Sequence, residues 1–135
     1  MRVKIAVFGA IILMAISALY LAGNKSEADM NVPKYLYIIV SPEVWEKSSE
    51  VGKLVLPSHH DPFIHLAKED QVSHVTDKFW SDSDYYLLKI ETDQLIGRLV
   101  YETNPGGSNR YYHLYDGEIP LEAISEVEFV QSGSP

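Results

Sequence analysis

The chain has 135 residues, 46% of them hydrophobic and 22% charged, with a formal net charge of −8 and no cysteine. Such a length typically carries one folded domain, and the acidic balance argues against nucleic-acid binding, which needs a basic stripe. Without thiols there can be no disulfide, thiolate catalysis, Cys-ligated zinc or lipid attachment through cysteine.

Arg2 and Lys4 precede an uncharged run of 18 residues, 5–22. This is about the minimum for a helix that crosses the hydrocarbon layer. It exceeds the roughly 7–15 apolar residues of a cleavable signal. Tyr20 and Leu21 stand where a cleavage site needs a small side chain. The expectation is one N-terminal hydrophobic helix within residues 1–23, acting as an uncleaved membrane anchor, with a signal peptide as the alternative. Basic residues ahead of the run place the remaining chain outside the cytoplasm. After cleavage it would be secreted or periplasmic. Residues 24–33 are polar and small and read as a tether. The globular domain is expected over residues 34–130, with 131–135 as a tail.

Residues 34–40 (KYLYIIV) are aromatic and β-branched and predict a strand buried on both faces. Ser41 then caps a helix, with Pro42 at its first position, Trp45 facing the core and Gly52 ending it. Residues 54–56 suggest a short strand, and 57–62 (PSHHDP) a turn-rich loop. The apolar run 63–66 is followed by an amphipathic helix over 69–80. That helix carries Val72, Val75 and Phe79 on one side and Gln71, His74 and Lys78 on the other. Further strands are expected over 85–90, 99–102, 111–115 and 126–130. Short helical turns fall within 92–97 and 120–124, and a flexible loop (NPGGSN) spans 104–109. Strands outnumber helices and the connections are short, which favours an α+β fold with a mostly antiparallel sheet and two main helices.

Several of these residues, taken in order, resemble domain-of-unknown-function family 952. They are Tyr37, Ser41-Pro42-Glu43-Val44-Trp45, Phe63-Ile64-His65-Leu66, Gln71, Glu102, His113-Leu114-Tyr115 and Ile119-Pro120-Leu121. The resemblance implies a compact fold similar to that of ADP-ribosyltransferases, in which a split antiparallel sheet carries a cleft that holds NAD in active relatives. Three positions depart from the family's pattern. Ile38 replaces a histidine, Ala67 a serine or threonine, and Asp116 a glycine. Isoleucine can neither donate a hydrogen bond nor transfer a proton.

His65, Glu102 and His113 are the candidate catalytic residues. Histidine carries protons near neutral pH, and a carboxylate can stabilise the ribose cation formed when an N-glycosidic bond breaks. Each imidazole can equally serve as a backbone hydrogen-bonding residue in a strand. Tyr37, Gln71 and Tyr115 are the candidate ligand-binding residues. His59-His60-Asp61 has metal-ligand chemistry, but adjacent residues seldom share one ion, so no metal is expected. The expected function is a small-ligand- or protein-binding module on a degenerate ADP-ribosyltransferase-like fold. The alternative is an NAD- or nucleotide-utilising transferase or glycohydrolase with a cleft lined by His65, Glu102 and His113. NAD is the possible cofactor, the membrane the expected partner of the N-terminal helix, and nucleic acid is not expected.

Overall fold

The computed structural model describes residues 31–57 and 62–133. The expected helix within residues 1–23, most of the tether and the His59-His60-Asp61 loop lie outside the described residues. Among the described residues no helix is long and apolar enough to cross a membrane.

Aromatic and β-branched side chains fill β1 (Tyr35–Val40), whose Leu36, Tyr37, Ile38 and Val40 are buried. Ser41 stops the strand and caps α1 (Pro42–Val51), its Oγ accepting from the Val44 N–H at 3.3 Å. Gly52 closes the helix in the left-handed conformation, φ 87°, a geometry that suits a residue without Cβ. Ser48 is buried at the end of α1, donates to the Val44 carbonyl and accepts from the Val55 N–H. Residues 54–56 form no ladder. Leu54 is instead pinned by a backbone bond to Ile119, after one isolated bridge between Lys53 and Pro120. The expected strand there is therefore an extended connector, with the Leu54 and Val55 N–H groups bonded singly to Ile119 and Ser48.

After β2 (Phe63–Leu66), a 3-10 turn (Glu69–Gln71) leads into α2 (Val72–Phe79). Val72, Val75 and Phe79 have helical spacing, yet no residue of α2 is fully buried and Phe79 is 66% exposed. The remaining strands are β3 (Tyr85–Glu91), β4 (Ile96–Thr103), β5 (Arg110–Glu118) and β6 (Ile124–Val130).

Among the described residues the fold is α+β, with two three-stranded antiparallel sheets and two helices. One sheet has the order β1-β3-β6 and the other β2-β5-β4. Leu36, Leu88, Ile90, Leu66, Leu114 and Ile119 are almost fully buried and form the core. Among the described residues the ladder between the sheets is a single bridge, with Tyr37 and Ala67 exchanging two backbone bonds of 2.8 Å. Beyond that bridge β1 and β2 part. Ile39 lies two residues past Tyr37, so strand alternation turns its N–H and C=O toward the same seam.

β4 and β5 are longer than expected because they continue through glycines. Their register shifts between Ile96 and Arg98, opposite Asp116 and Gly117. Asp116 has φ 48°, the one positive φ of a non-glycine among the described residues. A Cβ on Gly117 would fall 2.4 Å from Leu114 Cγ and 2.6 Å from the Ile96 carbonyl oxygen. The two strands can close at this bulge only without a side chain there.

Candidate functional site

Phe63 and His65 are two residues apart on β2 and therefore share a face. Antiparallel register sets Phe63 opposite Tyr115 and His65 opposite His113 on β5. On β4, Glu102 pairs with Tyr111 and so lies diagonal to His113, within reach of its ring. One face of this sheet thus gathers two histidines, an acid, a phenol and an aromatic ring. The opposite face turns Leu66, Tyr112 and Leu114 into the core.

His113 is only 1% exposed, and both its ring nitrogens have partners. Nδ1 lies 2.9 Å from Glu102 Oε1, and because an ionised carboxylate only accepts, the proton sits on Nδ1. Nε2 lies 2.8 Å from the side-chain amide of Asn104. An amide can present oxygen to an Nε2–H, or its N–H to a bare Nε2, so it suits either charge state of the ring. Phe63 stacks on the imidazole at 3.9 Å and 15°, and His65 meets it edge-on at 5.0 Å. The Tyr115 hydroxyl donates to the same Glu102 oxygen. The Arg98 guanidinium lies 4.7 Å over the Tyr115 ring.

These bonds set the ionisation of the cluster. The Tyr115 hydroxyl and then the His113 ring hold the Glu102 carboxyl below the usual carboxylate range. The same bond pushes the Tyr115 phenol up, because losing its proton would set two anions side by side.

Where β1 and β2 part, a groove of about 700 Å³ opens. Its walls come from β1 (Tyr37, Ile38, Ile39), β2 (His65, Leu66), α2 and the 104–111 segment. A second hollow of about 420 Å³ shares Ile38, Ile39 and His65 and extends along the same seam past Phe63.

Of the three residues expected to line one cleft, His65 alone borders the groove, and it is exposed. His113 lies behind the wall, covered by Phe63 and its two polar partners. Glu102 also stays out of the lining, its carboxylate turned to His113 and Tyr115. The three do cluster, but as a buried His113 bonded to a part-exposed Glu102, behind one exposed imidazole. Tyr37 lines the groove and is nearly buried; burial, followed by the charge of Glu69, raises its phenol pKa.

Gln71 is placed elsewhere. Its Oε1 accepts from the Lys68 N–H at 3.0 Å and its Nε2 donates to the Arg110 carbonyl at 2.7 Å. Both ends of the amide thus bind backbone, and the residue fastens the start of α2 to β5. Tyr115 reaches Glu102 rather than the groove. No group of three or more possible metal ligands occurs among the described residues.

Sequence reasoning missed Asn104 and Phe63 as members of the cluster. Glu102 and Asn104 are two apart at the end of one hairpin arm, so strand alternation could have put both beside His113. Phe63 could have been found in the same way from its spacing to His65.

Residues 39–127 match the model of a family described as "Protein of unknown function (DUF952)". No curated protein matches the chain. Among solved structures, the crystal structure of protein CC0527 from Caulobacter crescentus is 24% identical with a TM-score of 0.61, covering 70% of this chain and 84% of that one. The solution NMR structure of the same protein is 21% identical with a TM-score of 0.58, covering 73% and 86%. At this identity the likeness is one of fold.

Proposed function

The chain belongs to the DUF952 family, and from the groove we propose that it is a small-ligand-binding module on a fold resembling that of ADP-ribosyltransferases. The observation that carries the reading is the opening between β1 and β2, where exposed His65 and the Asn104 amide stand between apolar walls. A concave, largely apolar site with a few convergent polar groups is the usual form of a small-molecule site. The buried His113, bonded to Glu102, supports it from behind. His113 and Asn104 are joined directly, so the polar groups at the groove do not rely on solvent for orientation. Residues 5–22 hold this module to the outer face of the cytoplasmic membrane.

NAD or nucleotide turnover is the second reading. The geometry in its favour is an ionised Glu102 close behind His65. Against it stand Ile38 in the groove wall and a carboxylate that does not border the groove.

A thermal-shift screen of the full chain against small aromatic and aliphatic acids, amides and amines tests the first reading. Compounds that raise the melting temperature of the parent chain should lose their effect in Val75→Trp, which fills the groove from α2. Effects that persist unchanged in that variant would move the binding elsewhere and overturn the proposal. Millimolar NAD tests the second reading. It requires nicotinamide release that His65→Ala abolishes, and a chain that neither turns NAD over nor shifts its melting temperature removes it.

A further inference from the structure

The lining of the groove has a charge bias opposite to that of the whole chain. The sequence carries 19 acidic against 11 basic residues. Among the described residues no carboxylate borders the groove, whereas the Lys78 ammonium does, beside the imidazoles of His65 and His74. His74 and Lys78 are four residues apart on α2, so they stand one above the other on one helix face. Both are exposed, and among the described residues Lys78 has no acidic partner within 4.0 Å. Ser108 and Asn109 add neutral polar side chains opposite.

The same stretch of wall is aromatic. Phe79 and Trp80 follow Lys78 directly, and Tyr111 faces the groove from β5. Phe79, on the apolar side of its helix, finds no core to enter. Large apolar side chains gathered at a concave surface mark a place that something else covers. The Lys78 ammonium lies 5.2 Å over the Phe79 ring, so the cation and the apolar surface form one patch.

We propose that the groove accepts a small anion on an aromatic body, a carboxylate or a phosphate ester, with the charge against Lys78 and His74 and the ring against Phe79 and Trp80. This deepens the small-ligand reading above and rests on it. An exposed lysine gains little from a solvated partner. It gains more here because a ring seated on Phe79 and Trp80 displaces water from around the ion pair, and Coulomb attraction strengthens as the local dielectric falls. A neutral ligand of the same shape would keep the ring contacts and forgo the charge.

The full chain is titrated calorimetrically with 2-naphthoate, 2-naphthyl phosphate, neutral 2-naphthamide and cationic 2-naphthylmethylammonium. At least one anion should bind ten times more tightly than the amide, with the ammonium weakest. The tighter of the two anions identifies carboxylate or phosphate as the preferred head group. Lys78→Gln should weaken the anion about tenfold while leaving the amide unchanged; the residue is exposed, so melting should not move. Equal affinity for anion and amide would overturn the anion preference and leave the groove a neutral-ligand site. Anion binding unchanged in Lys78→Gln would overturn the placement. If no naphthyl compound binds, the aromatic-anion proposal fails, and the Val75→Trp comparison decides separately whether the groove binds anything else.

Discussion

Two donors, the Tyr115 phenol and the His113 imidazole, converge on one oxygen of Glu102, and both favour its ionised form. A carboxyl pKa held down in the folded state contributes stability above its unfolded value and loses it as pH falls through the folded one. For Glu102 that contribution should be complete above about pH 4.5 and disappear in more acid solution. The phenol of Tyr115 behaves oppositely. Its pKa is raised, so its contribution holds below about pH 10 and is lost as pH climbs through the folded value. Thermal melts of the parent and Glu102→Gln across this range should run furthest apart at neutral pH and converge at the acid end. Parallel curves throughout would mean that the carboxylate's charge plays no part. Gly117 gives a steric test on the same strand. An alanine Cβ there meets Leu114 and the Ile96 carbonyl well inside contact distance, so Gly117→Ala should cost about 2–3 kcal/mol, in the range of overpacked sites. Denaturant titration measures it directly.

At the scale of elements, the strands and helices were legible because their signals are local. YLYIIV could hardly be other than a strand, and Ser41-Pro42 announces a helix start whose cap bond is present. Ser41→Ala should cost about 0.5–1 kcal/mol by denaturant melt. The extent of β4 and β5 was less visible, since glycine is a poor strand former and only the bulge, a property of two strands together, makes it necessary. Gln71 was legible as polar but not in its role. Its partners, the Lys68 N–H and the Arg110 carbonyl, are backbone atoms, and the second comes from a distant strand. Gln71→Ala should cost about 1–2 kcal/mol, from two lost bonds. Gln71→Glu keeps the acceptor for Lys68 but turns an oxygen toward Arg110, so it should not restore full stability. Full rescue by glutamate would show that the Arg110 bond is dispensable.

For the whole molecule, family membership and the antiparallel α+β layout followed from residues in order along the chain. The site did not, because its geometry comes from pairing distant strands. His65 and His113 could be named as candidates, but only the β2–β5 register places them opposite each other, and only packing shows that Phe63 shields the second. The proposed anchor can be tested at this scale. The full chain should sediment with membranes and be cut by protease added outside spheroplasts, whereas a chain lacking residues 1–23 should do neither. Recovery of the intact chain in the cytosolic supernatant would count against it.

The single bridge between the sheets has a consequence for internal motion. Tyr37 and Ala67 each donate their amide hydrogen to the other's carbonyl, and along the β1–β2 seam no ladder continues from this pair, although β1 and β2 are each paired on their other edge. Neighbours such as Leu88 and Leu114 sit inside continuous ladders. Deuterium should therefore enter at residues 37 and 67 well before it reaches the strand centres, by a local opening rather than global unfolding. Those two sites would report how often the molecule loosens along its own midline.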